Sequence, residues 1–229
     1  INGVLIGSYV ASQMVNNVSL GVGIVFLFFG GFFIAKWGAK KTTVIWSWIS
    51  IAVAVVTILF CLFLGGPEGM KKIGVMGVPV IIYTVLTLLK SSASMVLTAT
   101  NGARAADVTD YEYMRSGNYL PAVVSATYSF IDKAVSSLGS LVATGCVALV
   151  GYVNTVPQMG DKATWPIFWM GMFLMFGLPI LGWILNVISM KFYILDKEKM
   201  VEVQKTLAER KKEVEAMEAE AAKESSDEA

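Results

Sequence analysis

The sequence predicts an all-α transmembrane protein, in which a bundle of membrane-spanning helices is followed by a charged tail. Charged residues make up only 15% of the 229 residues, whereas about 25% is usual for a soluble domain. Apolar stretches near 20 residues long recur along the chain up to residue 190, and this is the length that crosses a bilayer as a helix. Both observations point to the same fold class.

The apolar stretches define the predicted elements in order. Residues 1–13 are apolar but too short to span, so we expect the end of a helix that is truncated upstream, with polar residues 12–17 as a loop. One continuous helix to residue 36 is the alternative. A bundle over residues 14–190 then contains five complete spans, predicted at about 18–36, 42–64, 74–99, 120–153 and 165–190.

Turn and helix-start signals support several of these boundaries. The second complete span ends at Gly65-Gly66-Pro67, a turn sequence. Pro121 is suited to the first turn of the fourth span, and Pro179 is expected to kink the fifth.

The charged connections predict the orientation of the bundle. Lysine and arginine are concentrated in the 36–41 and 100–119 connections and in the tail, whereas the opposite side has Lys71, Lys72 and Lys162. Because cytoplasmic segments carry the excess of basic residues, we expect a multi-pass protein of the plasma (inner) membrane with a cytoplasmic C-terminus.

The tail, residues 191–229, is predicted to be a charged cytoplasmic helix. Asp196 can cap its start, and apolar residues follow at near-heptad spacing: Met200, Val203, Leu207, Val214 and Met217. This spacing fits a solvated, partly docked helix, and a coiled-coil partner site is the alternative.

Composition excludes several classes of function. The net charge of +1 and the lack of a basic, aromatic-rich patch argue against a nucleic-acid partner. The sequence has no histidine, and Cys61 and Cys146 lie in apolar runs, so we expect no metal site and no bound cofactor. No cluster of nucleophiles or paired carboxylates lies at membrane depth, so an enzyme is not expected. The chain begins with Ile1 and shows no signal peptide, which predicts a fragment, and a processed mature protein is the alternative.

Charged residues inside two predicted spans indicate a polar cavity. Asp132 and Lys133 fall near the middle of the fourth span, where a charge costs about 2.5–3.5 kcal/mol. At 100° per residue, Ser129 and Ser136 share the face of Asp132, and Tyr83 and Thr87 share that of Lys90 in the third span. The candidate cavity residues are therefore Lys133, Asp132, Lys90, Ser129, Ser136, Tyr83 and Thr87. Polar contacts between packed helices are the alternative reading.

Residues 106–117 read A-D-V-T-D-Y-E-Y-M-R-S-G. This resembles the signature A-D-x-x-D-Y-x-E-[YW]-[KR]-[TS]-G of the glycoside–pentoside–hexuronide:cation symporters, the melibiose-permease-like branch of the major facilitator superfamily. The acid–aromatic pair is displaced, since Glu112 and Tyr113 come one position early. Phe130, Lys133 and Gly139 similarly resemble an F-x-x-K-x-x-x-x-x-G pattern of that family. A weaker likeness to a superfamily loop lies at residues 31–40, where Ala35 replaces the acid.

The resemblance implies the C-terminal six-helix half of a major facilitator fold, with five complete spans and the end of one more. It implies a secondary active transporter that performs cation-coupled symport of a sugar or glycoside by alternating access. The partners would be a sodium ion or proton, a small sugar, membrane lipid and the N-terminal half of the same transporter.

For residue roles, the resemblance places Lys133 beside the cation and sugar region. The 104–117 segment is expected to form a cytoplasmic gate through Arg104, Asp107, Asp110, Tyr111 and Arg115. Two alternatives stay open: a non-transporting membrane scaffold or sensor, and a half-size transporter acting as a homodimer.

Overall fold

The computed structural model describes residues 5–6, 8–75, 77–152, 158 and 161–227. This part of the chain is helical and contains no strand. The helices are α1 (Tyr9–Phe63), α2 (Gly66–Met70), α3 (Val78–Ser116), α4 (Pro121–Leu149), α5 (Trp165–Met172), α6 (Leu178–Phe192) and α7 (Lys197–Asp227). A 3-10 turn, Lys71–Gly74, follows α2, and a π-helical segment, Phe173–Gly177, joins α5 to α6. The all-α transmembrane prediction is confirmed, since four long helices are apolar enough to cross a membrane.

Helix α1 is broken at Gly38, whose backbone lies at φ 80° and ψ 161°. Positive φ strains residues that have a Cβ, so glycine permits the change of direction here. The hydroxyl of Thr42 donates to the carbonyl oxygens of Phe33 (3.1 Å) and Gly38 (2.8 Å), which bridges the break. A membrane span requires about 20 residues. Helix α1 has more residues than this on each side of Gly38. Helix α1 therefore supplies two membrane-spanning segments, separated within the predicted 36–41 connection.

The predicted loop at residues 12–17 is wrong, because α1 runs through it without interruption. Serine and asparagine lower helix stability by only a few tenths of a kcal/mol each, and neither glycine nor proline occurs there. Val15 and Ser19, one helical turn apart, are both buried, so tertiary packing stabilises this stretch as helix.

The predicted loop over residues 100–119 is also wrong for most of its length, because α3 continues to Ser116. Val108, Tyr111 and Met114 recur at a spacing of three residues and pack against buried apolar side chains near the start of α7. This packing stabilises the added turns. Gly117, at φ 77°, ends the helix, and its N–H donates to the Tyr113 carbonyl (2.9 Å).

Pro179 lies just beyond the π-helical segment, in the first turn of α6. A proline has no N–H and collides with the carbonyl four residues earlier, here that of Met175. A widened π turn accommodates that collision within an otherwise continuous span. The irregularity expected at Pro179 thus takes the form of a π bulge on its N-terminal side.

Helices α1 and α3 form the main packing interface, and small residues set their separation. A Cβ added to Gly30 would lie 2.7 Å from the Cβ of Ala99, and one added to Gly23 would lie 3.0 Å from Met95 Cγ. Small residues allow membrane helices to approach closely and gain dispersion contacts. The largest buried apolar cluster among the described residues includes Tyr83, Cys61 and Phe168.

Helix α7 is docked over its first turns. The Asp196 carboxylate accepts from the Lys199 N–H (2.9 Å), as expected of an N-cap. Leu195, Met200 and Val203 are buried against the C-terminal turns of α3. Met217, ten residues beyond Leu207, is 61% exposed. The predicted partly docked helix therefore describes α7 up to Leu207, and the side chain of Val214 lies outside the described residues.

The Gly30→Val substitution is expected to destabilise the protein by overpacking the α1–α3 interface. Such changes cost about 1–3 kcal/mol, so the thermal unfolding midpoint in detergent should fall by several degrees. Gly31→Val is the matched control, since nothing lies within 4 Å of a Cβ built there. Equal midpoints for the two variants would contradict the close approach at Gly30.

The Val203→Asp substitution is expected to release α7, because it places a charge in a fully buried apolar site. Trypsin should then cleave after Lys199 and Lys205 at least tenfold faster than in the unaltered protein. Val201→Asp is the control, as Val201 is 59% exposed on the same helix. Unchanged cleavage of both variants would show that docking does not protect this segment.

Candidate functional site

Residues of helices α3, α4 and α6 line an open cleft of about 830 Å³. Its polar side chains come from all three helices: Asn101 and Arg104 from α3, Tyr128, Ser129 and Asp132 from α4, and Asn186 and Ser189 from α6. The volume is in the range of small-molecule sites. The cleft thus combines a guanidinium, a carboxylate, amides and hydroxyls on one surface.

One face of α4 forms the wall of this cleft. Tyr128, Ile131, Asp132 and Val135 follow the i, i+3, i+4, i+7 spacing that places residues on one side of a helix. Ser129 lies at the edge of this face. Of the residues predicted to line a cavity, the structure brings Ser129 and Asp132 to the cleft, together with Arg104 from the predicted gate.

Arg104 is the principal positive charge in the cleft. Its guanidinium donates to the side-chain oxygens of Asn186 (Nη1, 3.2 Å) and Asn101 (Nη2), and Nη1 lies 3.9 Å from the sulfur of Met190. Its buried Nε–H has no hydrogen-bond partner, and no carboxylate lies within 4.0 Å of it in the described ranges. A guanidinium held by neutral amides keeps its charge available for oxygen atoms of a bound solute.

Lys133 and Ser136 lie outside this cleft, on a strip of α4 that continues through Ser137, Ser140 and Thr144. No residue of α4 is buried, and Lys133 itself is exposed. The hydroxyls of Ser137, Ser140 and Thr144 donate to backbone carbonyls of α4 itself. Within the described residues Lys133 forms no ion pair. The strip therefore presents a charge and hydroxyls without a packed neighbour.

Lys90, Tyr83 and Thr87 lie apart from both the cleft and the α4 strip. The Lys90 ammonium is 4.7 Å from the ring centroid of Phe176, a buried residue of the π-helical segment. Tyr83 is only 2% exposed and belongs to the apolar core with Cys61, and Thr87 donates to the Tyr83 carbonyl at 2.8 Å. Lys90 thus lies against the π segment and Tyr83 lies in the apolar core, so the two predicted polar faces do not meet.

The predicted gate is helical, and the tail packs on part of it. The phenol of Tyr193 donates to Asp107 Oδ2 at 3.3 Å. Burial, and then the nearby Asp107 carboxylate, raise the pKa of Tyr193, so it stays a hydrogen-bond donor at neutral pH. Tyr111 packs against the apolar cluster under α7.

Arg115 and Asp110 are the two other charged residues of the predicted gate. Arg115 pairs with Glu112 at 3.1 Å, one turn away on the same helix, and is 66% exposed. Such exposed pairs contribute little stability. Asp110 is partly exposed on α3.

Sequence reasoning placed Asn101 on the polar face of the third span but did not identify Asn186, Ser189 or Tyr193 as site residues. Asn186 and Ser189 are three residues apart in an otherwise apolar span, a spacing that places them on one helix face. That signal was available in the sequence, whereas the pairing of Tyr193 with Asp107 depends on how the tail folds back. No group of metal-ligating side chains occurs among the residues that the structure describes.

Comparison with known protein families identifies one that matches nearly the whole bundle. The family described as MFS/sugar transport protein matches residues 2–197, which include α1 to α6 and the first residue of α7. Neither the curated proteins nor the solved structures contain a match to this chain.

Cysteine labelling should distinguish the face of α4 that is accessible to water from the face that contacts lipid. With Cys61 and Cys146 replaced by alanine, a Ser129→Cys variant should react with a membrane-impermeant maleimide, because Ser129 lines the open cleft. Leu141→Cys is the control: Leu141 is 71% exposed but outside the cleft, so it should face lipid and react with a lipid-phase reagent instead. Labelling of Leu141→Cys alone by the impermeant reagent would contradict the cleft.

Proposed function

Because the chain belongs to the MFS/sugar transport protein family, we propose that it forms part of a cation-coupled symporter that moves a sugar or glycoside by alternating access. The α4 strip around Lys133 is the observation that supports this proposal. The strip combines a lysine with serine and threonine hydroxyls near the middle of a membrane-spanning helix.

The position of Lys133 requires a polar environment. It is twelve residues past Pro121, about 18 Å along the helix axis at 1.5 Å per residue. A lysine facing lipid at this depth would cost about 2.5–3.5 kcal/mol. The surrounding strip is unburied, so water or a second protein surface is needed to solvate the charge. A water-filled cavity between this bundle and the N-terminal half of the transporter meets that need.

Lys133 also suggests how a cation can be coupled to solute. In the proposed mechanism, its ammonium balances carboxylates on the facing half when no cation is bound. A sodium ion or proton that neutralises those carboxylates weakens the pairing and changes the affinity of the cavity for the sugar. Coupling is then a free energy shared between two sites through one set of charges.

The cleft with Arg104 and the paired Asp107 and Tyr193 lie towards the C-terminal end of α3, beside the start of α7. We propose that this side is cytoplasmic, because Lys36, Lys40 and Lys41 also lie beside the start of α7 and basic residues accumulate on the cytoplasmic side. In the proposed cycle, Arg104, Asp107 and Asp110 form contacts with the other half when the inward side closes. This orientation supports the proposed cytoplasmic C-terminus of a plasma-membrane transporter.

Replacement of Lys133 should abolish coupled uptake. In cells that express the full-length transporter, Lys133→Gln should lower the uptake of a responsive labelled sugar at least tenfold and remove its dependence on a sodium or proton gradient. Lys162→Gln is the control, because Lys162 is an exposed lysine of the α4–α5 connection. Membrane expression of each variant is compared on blots. Gradient-dependent uptake by Lys133→Gln at the level of the control would exclude the proposed role.

A further inference from the structure

A second pocket, separate from the cleft around Arg104, lies where α1 breaks. Its volume is about 300 Å³, and it is formed by Trp37, Lys40, Lys41, Val44 and Ile45 from α1 together with Asp196 and Lys197 at the start of the tail. The pocket lies at the junction of two membrane-spanning segments, which places it at the membrane surface. Its walls are apolar on the α1 side, and its rim is basic.

Three lysines and one carboxylate, that of Asp196, line the pocket, which leaves a net positive charge at its rim. Lys40, Lys41 and Lys197 form no ion pair in the portion of the chain covered by the structure. The Lys197 ammonium donates to the Lys36 carbonyl at 2.8 Å, which uses one of its three N–H groups. The carboxylate of Asp196 accepts from the backbone N–H of Lys199, so its charge is partly engaged as the helix cap.

The geometry of the break holds these lysines together. A Cβ on Gly38 would lie 3.0 Å from the Cβ of Lys197, so the first turn of α7 packs directly on the break. The break lets the chain turn between its two spans, and the tail adds Lys197 from the other side. Two adjacent lysines of α1 and Lys197 from a distant part of the sequence therefore border one pocket.

We propose that this pocket binds the headgroup of an anionic phospholipid, with an acyl chain along Val44, Ile45 and Trp37. The phosphate would be bound by Lys40, Lys41 and Lys197, since basic pockets at the ends of transmembrane helices bind anionic headgroups. The half-buried Trp37 suits the boundary between headgroup and hydrocarbon. A free phosphate compound would satisfy the lysines but would leave the apolar wall uncovered, which is why a lipid is the better occupant.

The bound lipid would join the break in α1 to the docked tail. Its phosphate contacts lysines on both elements, so it would reduce repulsion between them. The site is separate from the cavity of the transported solute, and the proposal therefore does not depend on the identity of that solute.

Fluorescence quenching in nanodiscs tests the proposal with the full-length protein. The discs are made of phosphatidylcholine with a rising fraction of brominated phosphatidylglycerol, and the Trp37 signal is taken as the difference from a Trp37→Phe variant. The expected result is strong quenching at a low phosphatidylglycerol fraction. Lys40→Gln/Lys41→Gln should need at least a fivefold higher fraction, since each lysine near a surface is worth about fivefold in affinity.

Lys71→Gln/Lys72→Gln is the matched control. It removes two exposed lysines of the turn after α2, at the far end of the second α1 span, and should leave the Trp37 signal unchanged. The single variant Lys41→Gln, at an exposed position, should give an intermediate shift and replaces the double variant if that one unfolds.

Three results would overturn the proposal. One is equal quenching by brominated phosphatidylcholine and phosphatidylglycerol in the unaltered protein. Another is an equal shift in the Lys40/Lys41 and Lys71/Lys72 variants, which would indicate general surface attraction. The third is full displacement by glycerol 3-phosphate, which would show that the pocket recognises a soluble phosphate instead of a lipid.

Discussion

The cost of placing charge in a bilayer is the constraint on which the arrangement of this protein depends. The ammonium of Lys133 and the carboxylate of Asp132 occupy neighbouring positions of α4, and neither can face lipid without a cost of about 2.5–3.5 kcal/mol. Their directions differ by about 100°. Asp132 faces the cleft shared with α3 and α6, whereas Lys133 faces away from it. The helix thus needs polar surroundings on two sides, and the described bundle supplies only one.

Helix α7 connects parts of the bundle that are distant in sequence. Its first turns bury Val203 and Met200 against the C-terminal turns of α3, and Lys197 reaches the carbonyl of Lys36 beside the α1 break. Tyr193, just before α7, donates to Asp107. The start of the tail thus contacts both the α1 break and the segment of α3 that resembles the symporter signature. The first turns of α7 are therefore packed onto α1 and α3 as part of the bundle.

Two backbone irregularities lie where helices must change geometry inside or beside the membrane. Gly38 breaks α1 between two spans, and the π-helical segment Phe173–Gly177 precedes Pro179 within the last span. Such irregular backbone is tolerated at membrane depth when protein covers it. Phe176 of the π segment is buried under the Lys90 ammonium. The Lys90 ammonium thus lies within cation–π distance of this irregular segment, a contact that its depth in the third span did not reveal.

Hydropathy and helical periodicity determined the class of fold, the number of spans and the polar faces of the helices, because these are properties of contiguous residues in lipid. The same reasoning failed at residues 12–17 and 100–116, where weak local signals for loops were overcome by packing of Val15 and of Val108. Periodicity also assigned Tyr83 and Asp132 to polar faces without showing what each face meets. Only the tertiary structure decided that Tyr83 enters the apolar core while Asp132 joins Arg104 at a cleft. The reason is physical: a helix face is set by its own sequence, but its neighbour is set by how separate helices pack.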